Sequence, residues 1–514
     1  MSLDEKAASG ARPDRKSAAR FLLQATLGGG TAEIDGVCSL GFERWIEAQF
    51  QTEPSITHEE VYRHRSAGMH FEMHHAWWRQ VLTADDLLRQ RMAVALTEIF
   101  VVSEVAIEFV PWEMMKYYDD LGRMAFGNWR DLLRMVTLHP LMGHYLSHLR
   151  NRKPDPALQR YPDENYAREV MQLFTIGLNQ LNPDGSLALD HHGQPVPTYD
   201  QATIVQTANA LTGWSYAAAG PGPSFYGAAP DWFDPMQLYP AYHDDSAKTI
   251  VGGTVLPAGE GGAADLTAAL DALFQHPNTG PFICRQLIQR LVTSNPSAGY
   301  VYRVSQVFAD DGTGTRGTLA AVIPAILLDY EARSPALLAQ VGYGKLKEPL
   351  LRETALFRAF AAASAPSRFP LFTPDQDLGQ APLRSPTVFN FFLPDYEPPG
   401  PLAAAACCAP EFQITTAATA VSVANTLAGD VYSPVPPAPS TVVLDLSALT
   451  AAPDDPTLVA TLNLLLCGGN LSAAAQQLII SGLASLPAGS TLPADRARFA
   501  LALVLTAPGG AVQQ

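Results

Sequence analysis

The stretch Asp163-Glu164-Asn165-Tyr166-Ala167-Arg168-Glu169-Val170-Met171-Gln172-Leu173-Phe174 is read first, because its spacing fixes the class of structure. Wound at about 100° per residue, it gathers Tyr166, Val170, Leu173 and Phe174 on one side. Glu164, Asn165, Arg168, Glu169 and Gln172 fall on the other. This is the period of a helix, and Gly177 stands where a left-handed C-terminal cap is expected. Two uses of the polar face stay open. It is the solvated outer side of a core helix, laced by a Glu164–Arg168 pair at i,i+4, or it lines an internal site.

The same spacing recurs outward from this helix. Apolar residues return at three and four positions over 17–27, 41–51, 70–82, 85–100, 114–125, 129–138 and 140–149, with short punctuation between them. Beyond Gly177 the pattern changes. Turn dipeptides flank short apolar alternation between 181 and 199, which predicts small β-hairpins, and Asp184 and Asp190 there suit turn chemistry better than a calcium loop. A helix over 200–212, capped by Asp200, leads into 214–262, which is rich in Gly, Pro, Tyr and Ala and predicts a long irregular segment. Helices resume at 266–274, 280–294, 300–308 and 317–330. The expectation is therefore a mainly α protein: one large multi-helical domain over 17–430 carrying the 181–199 insertion and the 214–262 segment. A Pro-rich linker over 431–456, centred on 433–440, then leads to a helical segment over 457–514 that is too apolar to stand alone and packs back on the main domain.

Composition narrows the partners. The 514 residues are 47% hydrophobic, enough for one very large core or several ordinary ones. With 34 basic against 50 acidic residues the net charge is −16, which repels phosphate backbones, so nucleic acid is not an expected partner. Five cysteines, at 38, 284, 407, 408 and 467, form no CxxC pair and no disulfide-dense spacing. Cys407 and Cys408 are read as packing residues, with a vicinal disulfide or paired thiolates as the other choice. No stretch reaches the ~20 apolar residues of a membrane span. The first apolar string, Phe21-Leu22-Leu23, is broken by Gln24 and does not look like a signal peptide. No nucleophile elbow, phosphate-cradling glycine loop, dinucleotide fingerprint or HExxH is present.

Several strings together carry a resemblance that runs almost end to end. They are Arg20-Phe21-Leu22 with Ala25-Thr26, Arg89-Gln90-Arg91-Met92, Gly127-Asn128-Trp129-Arg130-Asp131-Leu132, Asn151-Arg152-Lys153 and the Glu164–Gly177 stretch. Ala210-Leu211-Thr212-Gly213-Trp214, His243-Asp244 with Lys248, Gly379-Gln380 and Arg384-Ser385-Pro386-Thr387-Val388-Phe389 complete the set. With these the chain resembles the bacterial domain of unknown function 1800 family. The resemblance implies an exported or envelope-associated protein, often encoded beside a family with a sulfatase-like fold. Two departures limit what transfers. Leu96-Thr97-Glu98-Ile99-Phe100 stands where many relatives carry Trp-His-Asn-His-Phe, so a metal role for those histidines does not carry over. Asn209 replaces the Arg that commonly precedes the Ala-Leu-Thr-Gly-Trp string, which removes a candidate anion clamp.

The residues matching family motifs that can carry chemistry are Glu164, Arg168, Glu169, His243, Asp244 and Lys248. Carboxylates with an imidazole suit general acid–base work, because burial and mutual charge move their pKa values toward neutrality. Glu169, His243, Asp244 and His276 also suit a divalent metal, the cofactor to consider, and His144 with His148 at i,i+4 is a weaker pair, with His139 one turn earlier. His70, His74 and His75 beside Trp77 and Trp78 read as core. The competing reading of the main set is a buried structural network. Two hypotheses follow. The first is an enzyme doing acid–base or metal-assisted hydrolysis with Arg168 and Lys248 stabilising negative charge. The second is a non-catalytic helical partner of the sulfatase-like protein.

Overall fold

The computed structural model describes residues 12–514 except 65–68, 108–109, 218–223, 228–229, 365–368, 370, 372–373, 433–441 and 487–492, and gives no side-chain description for 69–71. The Pro-rich stretch expected to act as a linker, 433–440, lies outside the described residues.

Helices form where apolar recurrence meets a cap. Asp14 accepts from the Ser17 N–H at 2.7 Å to open Arg15–Ala25, Asn128 caps Trp129–Leu138, and Asp200 accepts from the Thr203 N–H at 2.8 Å to open Gln201–Ala210. Asp454 does the same for Asp455–Cys467. The protein is mainly α, as expected. Most of its apolar helix faces are buried in one large core whose members run from Ala18 to Leu505, with Ala210, Ile250, Leu256 and Ala269 forming a small second cluster. Phe174, at the end of the motif helix Asn165–Gln172, packs 5.1 Å from Phe100, which in turn lies 5.0 Å from Trp129.

Strands are short. Trp214–Ser215 pairs with Gln237–Leu238, Lys248–Thr249 with Val255–Leu256, Lys345–Leu346 with Val512–Gln513, and Ala363–Ser364 with Val442–Val443, all antiparallel. The hairpins expected over 181–199 are reduced to isolated bridges, Leu181 with Leu187 and Leu189 with Pro195. Pro195 and Pro197 have no N–H to extend a ladder. Asp184 and Asp190 spend their carboxylates on the N–H groups of Ser186, His192 and Gln194, as turn residues do.

Other boundaries differ from the sequence reading. The helix expected over 140–149 ends at Tyr145, because the Leu149 N–H turns back to the Gly143 carbonyl and Ser147 and Arg150 take positive φ. The helix expected over 317–330 runs as Leu319–Leu327 and restarts as Tyr330–Arg333. Thr31–Leu40, Pro349–Ala359 and Ala417–Val431 are helices that the sequence reading passed over.

The C-terminal residues reach the first helix. Arg20 donates to the Gln514 carbonyl at 2.9 Å, and Lys347 donates to the Leu466 carbonyl at 2.8 Å. Among the described residues no helix is long and apolar enough to cross a membrane.

Candidate functional site

The polar face of the motif helix divides in two. Glu164, Asn165, Arg168 and Gln172 are partly exposed, whereas Glu169 is 5% exposed and turns toward the protein. Glu169 lies only about 60° around the helix from Tyr166, so it sits at the margin of the buried face. Its Oε2 has no hydrogen-bond partner, and burial, opposed by the charge of Arg168, pushes its pKa above the usual carboxylate range. Two phenols face it. Burial, with the charge of Glu169 second, pushes Tyr145 up to about 12. Tyr199 also rises to about 12 through burial and the same charge, against the pull of Arg168, and its hydroxyl is buried without a partner. Arg168 is held from the outside: its guanidinium donates to Glu164 at 3.0 Å, and Gln201 donates to the same carboxylate oxygen at 2.7 Å. The arrangement is a buried carboxyl beside two hydroxyls and a fixed cation.

A second family-motif group forms a separate buried triad. His243 Nε2 and Lys248 Nζ lie 3.2 and 2.8 Å from the same oxygen of Asp265, and all three residues are buried. Thr212 closes the other side of the imidazole, its carbonyl 3.0 Å from Nδ1, and Lys248 also donates to the carbonyls of Asp244 and Ser246. Every donor of the ammonium is thereby used on backbone or on Asp265. Asp244 contributes its backbone, donating N–H to Thr212 Oγ1 at 2.9 Å, while its carboxylate caps the Ser246 N–H. Gly213 has φ +92, and a Cβ there would stand 3.0 Å from His243, which explains a glycine in that string. Sequence reasoning missed Asp265. Its signal was an acid in the first turn of an Ala- and Leu-rich helix, Gly262–Gln275.

The family strings thus build a scaffold. Asn151 is its pin: its side chain exchanges hydrogen bonds with the Asp163 backbone ahead of the motif helix, and its carbonyl accepts from the Gly213 N–H. Lys153 N–H then binds the Tyr242 carbonyl beside His243. Among the described residues, however, no hydrogen bond or ion pair joins Glu164, Arg168 or Glu169 to His243, Asp244 or Lys248.

The remaining candidates are scattered. His276 accepts from the Asn278 N–H at its own helix entrance, with burial and Arg316 lowering its pKa. His144 is exposed and edge-on to Trp232 at 5.6 Å. His148 is buried and stacked 4.8 Å from Tyr166, and desolvation takes its pKa down to about 3, so it stays neutral. His139 caps its helix through Leu141 N–H. His74 and His75 are buried with Trp77 and Trp78, and the side chain of His70 lies outside the described residues. Cys407 and Cys408 are both free thiols. Glu169, His243, Asp244 and His276 are not brought to one point, and among the described residues no group of three or more His, Cys, Asp or Glu is placed to hold a metal ion.

A further charge network, absent from the candidates read from the sequence, lies at the centre of the molecule. Arg290 Nε lies 2.8 Å from Glu98, Lys345 Nζ lies 2.9 Å from Glu411 and 3.8 Å from Glu348, and Gln380 donates to Glu348 at 2.6 Å. Arg91 donates to the Arg290 carbonyl. Burial and the charge of Glu348 push Glu98 well above the carboxylate range. Glu348 is pushed up by its own burial, but Lys345, the hydrogen bond with Glu98 and Arg91 bring it down to about 2. Glu98 therefore carries the proton and Glu348 the charge. A cavity of about 20 Å3, enough for one water, touches Glu98 and Gln380. The signal in the sequence was a set of charges interrupting apolar runs, such as Glu98 within Leu96 to Val102 and Arg290 before Leu291-Val292.

Compared with known proteins, the chain matches no curated protein and no solved structure. One family model covers it from residue 20 to residue 509, nearly its whole length, and its description reads Protein of unknown function (DUF1800). The resemblance carried by the strings from Arg20 to Phe389 is thereby a membership: the chain belongs to the DUF1800 family.

Proposed function

We propose that the protein is a hydrolase-type enzyme in which Glu169 moves the proton, Arg168 stabilises developing negative charge, and Tyr145 and Tyr199 orient the attacked group. The observation that carries this reading is the Glu169 carboxyl: buried, raised in pKa, with Oε2 unpartnered between two phenols. A carboxyl free of structural hydrogen bonds keeps its lone pairs for a substrate or a water, and a raised pKa brings it toward the pH at which it can both take and give a proton. Glu164 and Gln201 act as positioning residues by holding Arg168. His243, Lys248 and Asp265, with Asp244 through its backbone, support the reading from a distance by fixing the loop that Asn151 ties to the motif helix. Metal-assisted hydrolysis draws no support from the placement of Glu169, His243, Asp244 and His276, so no step is routed through a metal here.

The test is a panel of chromogenic esters, phosphates and glycosides, run with the unaltered chain and with Glu169→Gln. One class should be turned over, with kcat reduced by about a hundredfold or more in the variant and KM little changed. Equal turnover by the two proteins would sink the proposal.

A second reading, a non-catalytic partner of a sulfatase-like envelope protein, is favoured by one observation. Leu158, Tyr161, Leu178, Leu187 and Leu189 are all exposed on the segments flanking the motif helix. A panel with no turnover, together with co-purification of a sulfatase-like protein that is lost in Leu158→Ser with Tyr161→Ser, would favour this reading over the first.

A further inference from the structure

We propose that Glu113 and the rings around it form a binding site for an organic cation, an alkylated ammonium group. Glu113 stands in the first turn of the helix Pro111–Met124, 2% exposed, and its Oε2 has no hydrogen-bond partner. No Lys or Arg is within ion-pair distance of it among the described residues. Burial pushes its pKa up to about 7 even though its own backbone N–H and the Trp112 indole both stabilise the charged form. An ionisable group left that way is costly unless something supplies the missing charge.

The surroundings say what that something is. Tyr62 meets Trp112 at 6.4 Å and 88°, and meets Phe233 at 6.3 Å and 84°. Tyr216 meets Trp232 at 5.2 Å and 73°, and Tyr216 is close enough to Glu113 for the carboxylate charge to add to the rise of its hydroxyl pKa, after burial and against Arg150. Trp232 and Phe233 are consecutive in the chain, and each belongs to one of the two ring groups. Tyr62 and Phe233 are exposed, and Trp112 and Trp232 are partly so. Rings meeting edge to face beside a buried carboxyl receive a rounded, weakly hydrated cation, which gains from both ring faces and opposite charge. A sugar would instead require a ring lying flat with several polar neighbours, and a bare metal ion would require several oxygen ligands. One ring of the set already takes a cation on its face: the Arg150 guanidinium lies 5.3 Å over Tyr216. The net charge of −16 draws cations to the protein as a whole.

The full chain is titrated at pH 8 with tetramethylammonium chloride and with choline chloride by calorimetry, with the choline methyl resonance followed by NMR. Sodium chloride controls for ionic strength, and glucose is the neutral comparison. Saturable binding of both cations is expected, weakened at least tenfold in Glu113→Gln and in Tyr62→Ala, with no binding of glucose. The proposal is overturned by absence of saturable cation binding, by undiminished affinity in the two variants, or by glucose binding in place of the cations. If circular dichroism shows Glu113→Gln to be unfolded, Tyr62→Ala decides alone, since its ring is exposed.

Discussion

Glu353, on the helix Pro349–Ala359, and Asp430, on the helix Ala417–Val431, bring two carboxyl groups together in the interior, with Asp377 of the helix Pro374–Leu378 close enough to act on both. Burial, the Asp430 charge and the hydrogen bond between them push Glu353 well above the carboxylate range. Asp430 rises from its ordinary 3.8 to about 7 through burial, lowered in part by that hydrogen bond and raised by Asp377. The folded chain therefore holds protons that the unfolded chain releases above about pH 4. Stability from this pair is fully present below pH 4 and is lost as pH rises through 7, at about 1.4 kcal/mol per pH unit for each proton held. For Asp430 alone the displacement of about three corresponds to about 4 kcal/mol. Asp430→Asn removes that titration and can still hydrogen-bond Glu353. Urea unfolding midpoints from pH 4.5 to 8.5 should fall with pH in the unaltered chain and fall distinctly less in the variant, so that the two curves diverge as pH rises. Parallel curves would refute the reasoning, because they would mean that Asp430 is ionised alike in both states.

Three further outcomes are expected. Lys248→Met takes the buried ammonium away from the buried Asp265 carboxylate, and should lower unfolding stability by about 3 to 5 kcal/mol by urea titration. Gly213→Ala forces φ +92 on a residue with a Cβ and presses it against His243, costing about 2 kcal/mol or more, readable as a lowered thermal midpoint. Glu169→Gln, in contrast, should raise the thermal midpoint at pH 8 while removing turnover, since it replaces a carboxyl that burial disfavours as an anion by a neutral amide of the same shape.

Much of the molecule was legible in its sequence. Helical spacing placed Trp129–Leu138 to the residue and, with the Asp200 cap for the last, Asn165–Gln172 and Gln201–Ala210 within one or two, because periodicity and a cap are local and need no distant partner. The hairpins over 181–199 shrank to bridges because ladder length depends on paired N–H groups, which the prolines withhold. The 140–149 helix ended early because its last turn is spent on a backbone contact with Gly143.

Spacing and motif strings alone give the α class, the family, and the side chains able to do chemistry around 164–169 and 243–248. How they divide is set by packing: Glu169 turns inward to Tyr145 and Tyr199, while His243 and Lys248 close on Asp265, a residue that no motif marks. Glu98 and Glu348 lie 250 residues apart in the chain, and Glu353 and Asp430 are likewise distant. The reason is physical. Periodicity and caps report on neighbours along the chain, whereas desolvation and charge pairing, which set a carboxyl's protonation, come from whatever the fold brings against it.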